Sequence, residues 1–197
     1  MISPGSLIEF IDAGRFFCGY VTGLADRKIH LLSQNGRELH LPESRVLIAS
    51  RQPCPQPPSR EALTALLQQR ATDRAALADT IRLEELWQIV NEEADNEFQP
   101  DFLAELFFGD RATDDQRAAF LRAVFADSLF FKFKNGLITT HSAEQVEQMR
   151  LQRQREAEKA RLLDQAAIGL QKIMRGEASV EDEWPERERC LHWLAQW

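Results

Sequence analysis

Apolar and polar residues alternate with a period of two at the front of the chain and with a helical period behind it. Residues 6–11, 15–22, 28–32, 37–41 and 46–49 read as five short strands. They are broken at Asp12-Ala13-Gly14, at 23–26, at Asn35-Gly36 and at Pro42-Glu43-Ser44. Five short strands with tight turns around one thin core predict a small SH3-like β-barrel over residues 1–51. Residues 52–58 hold four prolines in seven positions, which disallows helix and central strand and favours stiff polyproline II. This stretch predicts a linker and a domain boundary.

The helical pattern starts at Ser59, a capping residue, and runs to about Ala78 with Leu63, Leu66, Leu67 and Leu77 on a narrow apolar face. Residues 82–93 predict a helix with Leu83, Leu86, Trp87 and Val90 inward. Pro100 takes the first position of a short helix that points Phe102, Leu103, Leu106 and Phe107 inward and stops at Gly109. Thr113 and Gln116 form a capping box and open a helix whose core stripe is Phe120, Leu121, Val124 and Phe125.

Residues 129–134 and 137–141 then read as two strands around Asn135-Gly136. Asn-Gly suits a two-residue type I′ turn, which needs positive φ at both central positions. The turn sets the register: Phe133 opposes Ile138 and Phe131 opposes Thr140 on one face. Lys134 opposes Leu137, Lys132 opposes Thr139 and Phe130 opposes His141 on the other. Three helices and then a hairpin is the order of a winged helix-turn-helix, expected over residues 59–148.

Ser142 and Gln145 open a long helix over 142–176, with Gly176 past its end. Its middle, 150–161, is nearly all polar, so it is exposed or bridges between domains. Apolar spacing resumes at Leu162, Leu163, Ala166, Ala167, Leu170, Ile173 and Met174. Within 177–197, Pro185 starts a last amphipathic helix with Cys190, Leu191, Leu194 and Trp197. The chain stops inside that helix beside Trp193, which suggests the front part of a longer polypeptide. The expected class is α+β and multi-module.

Composition narrows the function. The chain has 197 residues, 44% hydrophobic and 28% charged, with a net charge of −7. A chain that grips nucleic acid with its whole surface is usually basic, so any such contact must be local. Residues 1–51 carry six cations (Arg15, Arg27, Lys28, Arg37, Arg45 and Arg51) against five carboxylates, so the acidity lies in the rest. The three cysteines, Cys18, Cys54 and Cys190, lack disulfide or zinc spacing. Neither a signal peptide nor a membrane span is visible, and a cytoplasmic protein without membrane contact is expected.

No nucleophile elbow, phosphate loop or HExxH motif is present. Asp114-Asp115 could be a metal pair, but acids in a first helical turn favour the helix dipole. The run Glu92, Glu93, Asp95 and Glu97 reads as solvated loop, and the four histidines are scattered. No catalytic site or metal site is therefore expected within these residues. Arg15, Phe16, Phe17 and Tyr20 share one strand, and aromatics with arginine suit single-stranded RNA. The competing reading puts Phe17 and Tyr20 in the core. Lys132 and Lys134 share the outer face of the wing, where they are either phosphate contacts or routine solvated lysines. Between Asp79 and Asp115 twelve carboxylates stand against two arginines, and the would-be recognition helix offers only Arg117 and Arg122. That balance argues against duplex DNA readout.

The chain resembles the N-terminal region of ribonuclease II/R-type (RNB-family) exoribonucleases. The resemblance rests on Gly5-Ser6-Leu7-Ile8-Glu9-Phe10, the Asn35-Gly36-Arg37 turn and residues 39–46. Phe102-Leu103-Ala104-Glu105-Leu106-Phe107-Phe108, Leu129-Phe130-Phe131-Lys132 and Gln145-Val146-Glu147 complete it. These motifs are diffuse and none is a catalytic signature. The resemblance implies processive, Mg-dependent 3′→5′ hydrolysis of single-stranded RNA, with N-terminal modules guiding RNA to a catalytic domain. The metal-holding aspartate cluster of that domain has no counterpart here, so Mg is expected only in a missing catalytic domain. The implied role is non-catalytic RNA guiding, with single-stranded RNA and the catalytic domain as partners. Arg15, Phe16, Tyr20, Lys28, Arg37, Lys132 and Lys134 are the candidate RNA contacts. The alternatives are a protein-interaction module and a winged-helix transcription regulator.

Overall fold

A computed structural model describes residues 2–55, 59–92, 96–177, 179 and 187–195. The fold is α+β, a five-stranded antiparallel sheet followed by helices. The chain divides into two compact units, Met1–Ser142 and Ala143–Trp197. The division thus falls after Ser142, whereas the sequence places one at the prolines of 52–58.

In the first unit the strands are β1 (Leu7–Asp12), β2 (Arg15–Ala25), β3 (Lys28–Ser33), β4 (Glu38–Pro42) and β5 (Val46–Ala49). Their order across the sheet is β4-β3-β2-β1-β5. β2 runs further than its sequence suggests. It passes Gly23 through a bulge and turns at Asp26 and Arg27, both at positive φ. The sheet buries both faces. Ile8, Phe10, Val21, Ile29, Leu31 and Leu41 form a core on one side. Leu7, Cys18, Tyr20 and Leu32 form the other with Leu63 and Leu67.

Those two leucines belong to α1 (Arg60–Ala78), capped by Ser59, whose side chain accepts from the Ala62 N–H at 3.1 Å. Next come α2 (Leu83–Val90), the short strand β6 (Glu97–Phe98), α3 (Pro100–Phe108) and α4 (Asp114–Asp127). The capping box forms as expected: the Thr113 N–H donates to Gln116 Oε1, and the Gln116 N–H donates to Thr113 Oγ1. β7 (Phe131–Lys134) and β8 (Leu137–Thr140) make the hairpin in the expected register. Asn135 and Gly136 have φ of 53° and 82°, the two left-handed residues of a type I′ turn. β6 adds a third strand, in the order β6-β8-β7. Its two residues are too few for a pattern to reveal. α3 departs from its expected packing: Leu103 is buried, but Phe102 is 52% exposed and Leu106 45%. Phe125 is also half-exposed.

The second unit contains α5 (Ala143–Met174) and α6 (Arg187–Ala195), which meet near the Arg189–Glu158 ion pair. Every residue from Arg150 to Arg161 is exposed, and burial resumes at Leu162, Ala166 and Gly169. The expected start at Pro185, the side chains of Cys190, Trp193 and Leu194, and all of Trp197 lie outside the described residues, as do 56–58, Glu93 and Asp95.

One polar group ties the sheet to the helices. Glu9 sits mid-strand in β1 at 1% exposure, on the face shared with Cys18. Its carboxylate accepts from Arg74 Nη1 at 3.0 Å, and from Arg122 Nε at 2.9 Å and Nη2 at 2.5 Å. Arg74 comes from α1 and donates onward to Asp115 at 2.8 Å; Arg122 comes from α4 and donates to the Ala71 carbonyl at 2.8 Å. Breaking a buried pair strands the partner's charge, whereas replacing the whole set by apolar groups removes the desolvation cost. Glu9→Gln is expected to lower unfolding free energy by about 3–5 kcal/mol. Glu9→Leu combined with Arg74→Met and Arg122→Leu is expected to recover wild-type stability or better. Urea denaturation of the three forms checks both outcomes.

Candidate nucleic-acid interface

Arg15, Lys28, Arg37, Lys132 and Lys134 all project from exposed positions. Among the described residues none of these five side chains enters an ion pair. Most other cations of the unit do. Arg45 pairs with Asp12, Arg51 with Glu105, Arg60 with Glu38, and Arg70 and Arg74 with Asp115. Arg117 is held by Asp101 and by Asp114, the latter at 3.1 Å. The arginines of α4 are therefore consumed inside the protein, and residues 117–124 are buried without a break. Asp114 and Asp115 do more than favour the helix dipole, since each holds an arginine. The Arg51 N–H also donates to Asp114 at 3.0 Å, which anchors the end of the sheet region to the start of α4.

The two aromatic candidates separate. Phe16 is half-buried at the start of β2. Its ring meets Phe125 edge-on at 5.3 Å and lies 5.4 Å from the Arg122 guanidinium. It thus covers the buried cluster and keeps part of its surface open. Tyr20 is a correction. It is 6% exposed and packs with Leu7, Leu32, Leu63 and Leu67, so its ring cannot stack on a base. Its pairing with Leu7 and Leu32 puts it on the face that α1 covers.

The candidates do not converge on one patch. Arg15 and Lys28 lie at opposite ends of β2, about 30 Å apart for an eleven-residue strand. Arg37 follows the turn after β3, next to Glu38, which Arg60 holds. Lys132 and Lys134 belong to the separate three-stranded sheet. There Thr139 opposes both Lys132 and Glu97, so a carboxylate shares their face. Sequence reasoning also missed a pair: His30 and His40 oppose each other on β3 and β4 with ring centroids 4.1 Å apart.

Two residues on from Phe16 along β2, Cys18 is fully buried beside Arg74, 3.7 Å from its Nη1. Burial pushes the Cys18 thiol up from 9.0 to about 11; Glu9 and Asp115 add to the rise, and Arg74 and Arg122 oppose it. Burial pulls the Arg74 guanidinium down, but the Cys18 sulfur once it ionises, the Glu9 carboxylate and the bonds to Asp115 and Glu9 hold it above its ordinary value. Among the described residues no group of three or more His, Cys, Asp or Glu could hold a metal ion, and no helix is long and apolar enough to cross a membrane. Compared with known protein families, curated proteins and solved structures, the chain finds no match.

The Cys18 thiol gives a pH prediction. Below pH 9.0 both folded and unfolded chains keep the proton, and the folded form loses it only near 11. Between these values unfolding releases the proton, so stability falls by up to about 1.4 kcal/mol per pH unit. The stability of wild type relative to Cys18→Ala should be flat below pH 9.0 and decline from there to about 11. Denaturant titrations across that range check it.

Proposed function

We propose that this chain is the non-catalytic N-terminal region of an RNB-family 3′→5′ exoribonuclease and guides single-stranded RNA to a catalytic domain elsewhere in the protein. The strand order β4-β3-β2-β1-β5, with β5 returning to β1, suits a small SH3-like barrel. The order α2, β6, α3, α4, β7, β8, with the sheet order β6-β8-β7, suits a winged helix-turn-helix. The observation that carries the reading is the allocation of charge. Arg70, Arg74, Arg117 and Arg122 on α1 and α4 are held by carboxylates, while Arg15, Lys28 and Arg37 on the sheet and Lys132 and Lys134 on the wing, like Arg27, Arg82 and Arg111, are exposed and enter no ion pair among the described residues.

Cations scattered in this way bind phosphates weakly and release them readily, as a guide for a moving strand must. Processive hydrolysis needs a metal-holding carboxylate cluster, and Asp114 and Asp115 are occupied by arginines. No Mg-dependent step is therefore assigned to this chain. The buried, internally paired α4 gives no support to a transcription regulator that reads duplex DNA. Docking of a partner protein is a second reading, favoured by α3, where exposed Phe102 stacks on Phe98 at 6.0 Å and exposed Leu106 lies one turn on.

Anisotropy titration of a labelled single-stranded oligoribonucleotide tests the proposal. Weak, salt-sensitive binding without hydrolysis is expected. Replacing Arg15, Lys28 and Arg37 by Gln should flatten the slope of log affinity against log salt by about 0.7 for each phosphate no longer neutralised. Absence of binding at low salt, or binding indifferent to these substitutions, contradicts it. Binding of a protein partner that survives high salt and is abolished in Phe102→Asp supports the second reading.

A further inference from the structure

α1 covers only part of the outer sheet face. Tyr20, Leu32 and Glu38 form a cross-strand row under it: Tyr20 and Leu32 pack on Leu63 and Leu67, and Glu38 pairs with Arg60. The next two rows along the same face are Gly23, His30 and His40, then Ala25, Lys28 and Pro42. All six are half-buried or exposed. This is an uncovered platform spanning β2, β3 and β4, with β4 at the sheet edge.

The two imidazoles are already stacked, 4.1 Å apart and 30° from parallel. Their closeness follows from register. The Ser33 N–H donates to the Arg37 carbonyl at 2.8 Å, so 33 and 37 are a hydrogen-bonded pair. Alternation then makes 30 and 40 a non-hydrogen-bonded pair, the kind with the closer side chains. On the other side of His30 stands Gly23. A Cβ built there would meet nothing within 4 Å. Neighbouring strands lie about 4.8 Å apart, so a ring placed over Gly23 can lie beside His30 much as His40 does. The missing side chain therefore leaves the β2 side of His30 as an open slot that faces solvent. Lys28 flanks it on the same face, and Arg27 sits in the adjoining turn. The carboxylates next to these rows along the chain are Asp26 in that turn, Glu43 after Pro42, and Glu38, which Arg60 holds.

We infer that the space over Gly23 receives one base of a single-stranded RNA, which extends the His40–His30 stack while Lys28 and Arg27 meet the neighbouring phosphates. Bases stack on histidine as on other aromatics, and the contact tolerates sequence because every base has a π-face. A strand drawn past the site needs that tolerance. The inference rests on the RNA-guiding reading and gives it a location that Arg15 and Phe16, at the far end of β2, do not supply.

The test uses the full chain, labelled oligouridylate and EDTA, so that no metal bridging the imidazoles carries the signal. Gly23→Val fills the slot without removing a ring or a charge. His30→Ala removes the stacking surface. Each is expected to weaken binding about tenfold, as removal of one base–aromatic stack does, with an unchanged urea midpoint. The His30 and His40 ring resonances of the wild type should shift on titration with oligouridylate and stay in place with an abasic oligomer of equal length. If the wild type binds but Gly23→Val and His30→Ala bind equally well, this inference fails and the guiding role stands. If the wild type does not bind oligouridylate at all, both fail. Equal shifts with the abasic oligomer would reduce the platform to a phosphate contact and overturn the stacking claim.

Discussion

A carboxylate buried in the middle of a strand organises the first unit. Glu9 cannot be left unpaired at 1% exposure, because desolvating a lone charge costs several kcal/mol. Its two arginines come from helices α1 and α4, more than sixty residues away along the chain. The cluster therefore works as a gauge of correct docking: α1 must bring Arg74 and α4 must bring Arg122 to the same carboxylate. Apolar packing of Leu63 and Leu67 supplies area, while the ion cluster restricts the angle at which α1 crosses the sheet. Asp115 and Arg70 extend the network to the rim, and Phe16 with Phe125 covers its outer side.

This arrangement decides what the surface can offer. The same helices that look charged in sequence spend their cations inwardly, on Glu9, Asp101, Asp114 and Asp115. Among the candidate contacts, Arg15, Lys28 and Arg37 on the sheet and Lys132 and Lys134 on the wing stay exposed and outside these pairs. The acidic stretch from Asp79 to Asp115 repels a polyanion, so the proposed RNA contact is expected on the sheet rather than there.

The elements were legible because their signals are local. Asn135-Gly136 announced its hairpin and register, Thr113 with Gln116 announced a helix start, and period-two alternation placed four of the five strands within a residue or so. The site was less legible. Arg74 continues the stripe of Leu63 and Leu67 at helical spacing, yet an arginine there reads as surface until Glu9 is known to face it. Tyr20 alternates in step with Cys18, and only the presence of α1 over that face separates core from platform. The histidine pair depended on one turn. Asn35-Gly36, read only as a break between strands, leaves the register of His30 open. The loop holds Gln34, Asn35 and Gly36 between Ser33 and Arg37, with positive φ at Gly36 alone, and this sets His40 opposite His30.

The most direct measurement is ultraviolet crosslinking of the full chain to uniformly labelled single-stranded RNA, followed by mass spectrometric mapping of the crosslinked peptides. The account predicts adducts on the sheet, at His30, His40 and the Lys28 turn and more weakly near Arg15 and Phe16, with none between Asp79 and Asp127. Adducts concentrated on α3 or α4 with the sheet unlabelled, or no adducts at low salt, would contradict it.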